Sequence, residues 1–216
     1  MRTWIGLAAA ALAIAPLCAA QEAARRPVTA LMDEKREIEL ALSAAPPEVS
    51  RGADVYVLRR GGHVRVREGT TGVACLVARD HPESIVPICY DAEAARAVLP
   101  VELREQALRD AGRSEDEVRR EIEAGYGRGE FRPPRRAAMS YMMSPEQVLY
   151  SSPTGRRVGA WHPHIMIYVP YATNADLALP GPQAYGEMFV VEEGTPRAHF
   201  IVKVREWAKP APAAAR

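Results

Sequence analysis

The hexapeptide Val73-Ala74-Cys75-Leu76-Val77-Ala78 is the stretch that decides the fold. It carries no charged side chain, so a strand made of it is apolar on both faces, which is typical of the centre of a sheet. Residues 69–72 (GTTG) form a turn signal before it, and residues 79–87 form a loop that leads to Cys89. We therefore expect the sheet to be built outward from this strand.

Residues 1–20 show the three-part pattern of a secretory signal peptide. Arg2 supplies the positive charge, residues 5–17 are apolar and uncharged, and small residues follow at 19 and 20. The apolar run is shorter than the roughly 20 residues that a membrane-spanning helix needs. We expect cleavage near Ala20, before Gln21, and a periplasmic or secreted product.

Three cysteines occur in the chain. Cys18 falls within the predicted signal; a lipid anchor on it is the less favoured alternative, because Leu17 stands where lipoprotein signals usually have a small residue. Cys75 and Cys89 remain as an even pair, which in an exported chain predicts a disulfide closing a loop of 15 residues. A redox-active or metal-binding pair is less favoured because the spacing is not C-x-x-C.

The charge balance argues against a polyanionic partner. The chain has 28 Lys and Arg against 27 Asp and Glu, and loss of residues 1–20 removes one base, Arg2, and no acid. The remaining chain is formally neutral, so we expect no nucleic acid to be bound through its overall field. No second apolar run approaches membrane length, and we expect no transmembrane segment.

Periodicity predicts the elements around the central strand. A helix over 30–43 rests on Leu31, Ile38 and Leu42, with Glu37 among the charged residues of its solvated side. Gly61-Gly62 predicts a β-hairpin. Residues 91–125 predict a helical insertion in two or three pieces, the last of them opened by a capping box at Ser114 and Glu117.

The remaining segments predict further strands and a tail. Alternation places strands at 137–143, 147–151, 164–169, 187–192 and 197–204. Residues 209–216 are mostly Pro and Ala and are expected to be disordered. We therefore predict a single α+β domain over 21–208, with a mainly antiparallel sheet of about six to eight strands, an N-terminal helix and the helical insertion.

One strand carries the candidate site. Alternation in 161–168 places Ile165 and Ile167 on a face that we take to be the core side. The other face carries histidine, methionine and tyrosine, so the predicted ligand-binding residues are Trp161, His162, His164, Met166 and Tyr168. On the last predicted strand, His199 is expected to face water.

Two functions compete on this basis. The leading hypothesis is a non-catalytic domain of the cell envelope that binds a small molecule or an envelope protein and needs no cofactor. The alternative is a copper- or zinc-binding protein or metal-dependent hydrolase, because His162 and His164 lie two apart on a strand and can share an ion, with His81 as third ligand. Catalytic residues are not predicted, since G-x-S-x-G, S-x-x-K and H-E-x-x-H are absent from the sequence.

Expression of the whole chain in a bacterial host tests the predicted signal. We expect the exported protein to begin at Gln21, which intact mass and N-terminal sequencing measure directly. A protein that keeps residues 1–20, or one acylated at Cys18, contradicts this prediction.

Overall fold

The computed structural model describes residues 30–150, 156–179 and 188–209. The predicted signal peptide at 1–20 lies outside these residues, and so does the predicted tail apart from Lys209. Both predictions therefore stay predictions.

The described strands form one large sheet and one small one. The large sheet has eight strands in the order β2-β1-β3-β4-β5-β8-β10-β9, and β6 pairs with β7. Every neighbouring pair is antiparallel except β1 and β3, which are parallel over two residue pairs. The strands are β1 (Asp54–Arg59), β2 (Gly62–Arg67), β3 (Ala74–Ala78), β4 (Val86–Tyr90), β5 (Ala138–Met142), β6 (Leu149–Tyr150), β7 (Arg157–Gly159), β8 (His164–Tyr168), β9 (Val190–Val191) and β10 (His199–Lys203).

Five helices accompany the sheet in the described part of the chain, so the predicted α+β class is confirmed. The predicted insertion consists of three consecutive helices, and the capping box at Ser114 is present. Gly112, at φ +78°, ends the second of these three helices. There the amide of Arg113 donates to the carbonyl of Leu108. The helices are α1 (Glu34–Leu42), α2 (Pro47–Ser50), α3 (Ala92–Ala97), α4 (Leu99–Asp110) and α5 (Glu115–Gly127).

The central strand is where the sequence predicted it. Every residue of β3 is buried, and so is every residue of its antiparallel neighbour β4. Cys75 lies directly opposite Cys89 across this pair, with their Cα atoms 4.1 Å apart. The predicted disulfide is present, and its sulfurs belong to the apolar cluster that α1 covers.

The buried side of α1 differs from the prediction. Glu37, which was expected on the solvated side, is fully buried, whereas Leu31 precedes the helix and is 50% exposed. The Glu37 carboxylate accepts a hydrogen bond from the amide of Leu58 at 2.9 Å. Burial raises the pKa of this carboxyl, and the buried guanidinium of Arg79 opposes the rise. The prediction was wrong because these partners let a carboxylate occupy a core position.

The two faces of the large sheet are covered differently. The helix α1 contacts β1, β3 and β4 on the face that carries the disulfide. On the other face, α3 contacts β4 and β5, and α4 contacts β2 and β3. Within the described ranges, no helix has the length and apolar character needed to cross a membrane.

Removal of the disulfide is expected to cost about 3 kcal/mol, because a closed loop of 15 residues restricts the unfolded chain. The double variant Cys75→Ala with Cys89→Ala therefore unfolds at lower urea concentration than the native protein. Dithiothreitol is the control: it should destabilise the native protein by a similar amount and leave the variant unchanged. Equal stability of the native protein and the variant contradicts the prediction.

Candidate ligand site

The buried face of β8 is the one that the sequence analysis expected to be open. His164, Met166 and Tyr168 are buried, whereas Ile165 and Ile167 are only half-buried. The alternation was correct, but the side taken for the core was wrong. Residues of α3 and the start of α4 belong to the same apolar cluster as Met166 and Tyr168, so the helical insertion makes this the inner face.

Trp161 and His164 pack together at the beginning of β8. Their ring centroids are 4.9 Å apart, and the ammonium of Lys203 lies 5.3 Å from the Trp161 ring. His164 Nδ1 lies 2.7 Å from the carbonyl oxygen of His162, and burial lowers the pKa of His164. His162 itself is exposed. The two histidines therefore do not share one face.

The third histidine of the predicted metal set lies against different residues. His81 stacks on Tyr150, with ring centroids 4.0 Å apart, and its Nδ1 accepts from the amide of Glu83. In residues 30–150, 156–179 and 188–209, no group of three His, Cys, Asp or Glu side chains is arranged to hold a metal ion. The structure thus does not bring His81, His162 and His164 together.

His199 does not face water as predicted. It lies opposite Tyr168 in the pairing of β10 with β8, with ring centroids 5.4 Å apart. Burial lowers the pKa of His199 to about 4, so the imidazole is neutral at pH 7. The prediction was wrong for the reason found on β8: this face of both strands is the covered one.

A network of charged side chains lies beside this pair of rings. Arg197 Nη2 lies 2.9 Å from Glu105 Oε1 and 3.1 Å from Glu192 Oε1. Arg109 Nη1 lies 3.7 Å from Glu105 Oε2, and Arg109 Nη2 lies 3.1 Å from Glu115 Oε2. The network joins α4 to the hairpin between β9 and β10.

None of these charged residues was predicted from the sequence. The spacing of Glu102, Glu105 and Arg109 places them on one side of α4, a signal that was available. Charged residues on a helix usually face water, however, and nothing in the sequence links α4 to Arg197. Only the tertiary structure brings this side of the helix against the sheet.

Glu102 lies beside the network and takes no part in it. The residue is half-buried, on the same side of α4 as Glu105 and Arg109. It makes no hydrogen bond or ion pair within the described part of the chain. Burial, followed by the charge of Glu105, raises the pKa of Glu102 to about 7 against the pull of Arg109 and Arg197.

Three tyrosines surround the network. Burial and the charge of Glu102 raise the pKa of both Tyr90 and Tyr168, and the Tyr168 hydroxyl lies 3.3 Å from Ser140 Oγ. Burial raises the pKa of Tyr126 to about 12, and its hydroxyl has no hydrogen-bond partner among the described residues. All three phenols are therefore protonated at neutral pH.

The backbone at the rim of the network is strained. Glu192 has φ +54° and Tyr171 has φ +67°. The carbonyl of Thr195 accepts from the amide of Tyr171, which ties the two rim loops together. Positive φ in residues other than glycine costs energy and is concentrated at functional sites.

The arrangement determines which ligands these residues favour. Its arginines are engaged by carboxylates, its phenols are neutral, and its one unpaired acid changes charge near pH 7. Such surroundings favour a neutral hydrogen-bonding group or a cation over an anion.

Comparison of the chain with models of protein families, with curated proteins and with solved structures finds no match.

The variant Glu102→Gln is expected to remove a pH dependence of stability. The folded-state pKa of about 7 lies above the ordinary value near 4.5, so the folded protein holds this proton more tightly than the unfolded chain. The resulting stability is complete below pH 4.5 and is lost as the pH rises through 7, a change on the order of 2–3 kcal/mol. Urea unfolding at several pH values measures this change. Between pH 4.5 and 8, the free energy of unfolding of the variant should rise by that amount relative to that of the native protein.

Glu123→Gln is the matched control, since Glu123 is an exposed acid on α5. The difference in free energy of unfolding between Glu123→Gln and the native protein should stay constant across the same pH range. A constant difference for Glu102→Gln as well contradicts the position and environment described for Glu102.

Proposed function

We propose that this chain is an exported, non-catalytic domain that binds a small ligand at the Glu102 site, defined here by Glu102, Tyr168 and Arg197. The site lies where α4 meets Arg197, in the loop before β10. Tyr168 is one of the five residues that the sequence predicts for ligand binding. The other four lie along or before β8, and those predictions remain open.

One observation carries the proposal: Glu102 is half-buried beside Glu105 and Arg109 and makes no hydrogen bond or ion pair in the described residues. Burial of an acid without partners costs free energy, and an isosteric neutral residue avoids that cost. Groups of this kind are retained where they serve a ligand rather than the fold.

The neighbouring carboxylates favour binding over acid–base catalysis. A reaction driven by paired carboxyl groups needs both groups free to exchange protons. Glu105 and Glu192 are instead engaged by the same guanidinium, that of Arg197. Glu105 and Glu192 are thus unavailable to Glu102 as the second member of a pair.

The disulfide supports the proposed export of the protein to an oxidising compartment. Structural disulfides persist in oxidising environments such as the periplasm and the extracellular space. The pairing of Cys75 with Cys89 fits the export that the signal pattern of residues 1–20 predicts. We propose that the protein binds its ligand in the bacterial cell envelope.

Native mass spectrometry of protein recovered from the exported fraction tests this function. We expect a non-covalent small-molecule adduct on the native protein, reduced at least about tenfold in occupancy in Glu102→Gln, because loss of one charged hydrogen bond costs more than 1.4 kcal/mol.

Glu123→Gln serves again as the control and should keep the adduct. Native protein without an adduct, or an adduct of equal occupancy in Glu102→Gln, rules out the Glu102 site as a binding site.

A further inference from the structure

We propose a second binding site, for a small organic carboxylate, in the cleft that opens between α1, α2 and the end of β2. This site goes beyond the proposed function. The cleft lies on the side of α1, whereas Glu102 belongs to α4, which contacts the opposite face of the sheet. Three features support the site: the volume of the cleft, the balance of charge on its wall and the apolar part of that wall.

The cleft has room for a small molecule. Its volume is about 430 Å³, which lies within the range of roughly 300–1,000 Å³ that is typical of ligand-binding cavities. Its wall is formed by α1, the segment 43–51 that contains α2, the last residue of β2, Glu146 after β5 and Lys209 after β10. These parts are far apart in sequence, so the cleft could not be predicted from the sequence.

Positive charge exceeds negative charge on this wall. Among the described residues, four basic and two acidic side chains line the cleft. Both acids are engaged by one base: the guanidinium of Arg36 pairs with Glu146, and its Nη1 lies 3.8 Å from Glu39 Oε2. A third base, Lys209, has its Nζ 3.9 Å from Glu206 Oε2. The other two bases are arginines, and they carry the excess of positive charge.

These two arginines, Arg51 and Arg67, have no carboxylate partner in the described ranges. Arg67 Nε and Nη2 donate to the carbonyl of Ala53 at 3.1 and 2.8 Å, and Nη2 also donates to the carbonyl of Ser50 at 3.2 Å. Arg51 is exposed, and its side chain makes no hydrogen bond to another described residue. A guanidinium matches a carboxylate in shape and charge, and one that backbone carbonyls already hold loses little freedom on binding.

The apolar part of the wall separates an organic acid from an inorganic anion. Leu42, Ala45 and Pro47 line the same cleft. The hydrocarbon part of an organic acid can be buried against these residues, whereas phosphate or sulfate has no apolar surface to bury. Glu39 and Glu146 on the same wall repel further negative charge, so a ligand with one carboxylate is favoured over a polyanion.

Four probes test the site: hexanoate, 1-hexanol, n-hexylammonium and inorganic phosphate. NMR titration of the ¹⁵N-labelled protein, followed through the amides of α2 and its neighbouring residues, gives the Kd of each probe. We expect hexanoate to bind at least about tenfold more tightly than the other three, because only hexanoate combines a negative charge with an apolar part. Binding of any of the other three probes as tightly as hexanoate overturns the inference.

Two variants locate the bound carboxylate. Arg51→Gln should weaken hexanoate binding at least about tenfold without disturbing the fold, since the exposed Arg51 side chain has no partner among the described residues. Glu146→Gln should tighten it about threefold, because it removes an acid from the wall and releases Arg36. Arg120→Gln, at an exposed arginine of α5 away from the cleft, is the control and should bind as the native protein does. An unchanged Kd in Arg51→Gln, or weaker binding in Glu146→Gln, refutes the site.

Discussion

Pairing of the two fully buried strands β3 and β4 is the constraint on which the rest of the structure depends. The disulfide joins residues that lie directly opposite each other in this pair, so a shift in register would separate the sulfurs. The sheet grows from the pair in both directions, towards β1 and β2 on one side and towards β5, β8 and β10 on the other. Each face then receives its own helices: α1 over the cysteines and the insertion on the opposite side.

The fold could be predicted from the sequence because its signals are local. The two-residue periods of the strands, the glycine turn before β2 and the capping box at Ser114 each depend on a few adjacent residues. The side on which each element is buried could not be predicted in the same way. On β8, isoleucines alternate with histidine, methionine and tyrosine, and the position of the helical insertion decides which set is inside.

The candidate site was predictable only in part, for the same physical reason. Tyr168 was found through its strand, but the charged residues around it come from α4 and from the loop before β10, segments far apart in sequence. A charged residue has a low cost of burial only when its partner is present, and the partner is a tertiary feature. Glu37 shows this again, since its place in the core depends on Leu58 and Arg79.

The single parallel contact in the sheet has a consequence for the order of folding. β1 pairs with β2, and β3 with β4, through connections short enough to close at little entropic cost. β1 meets β3 in parallel over Asp54–Ala74 and Val55–Cys75 only. One half of the sheet thus consists of two local hairpins, each able to form early and independently. We expect folding to be limited by the meeting of these hairpins and the later addition of β8 and β10, because their contacts span much longer stretches of chain.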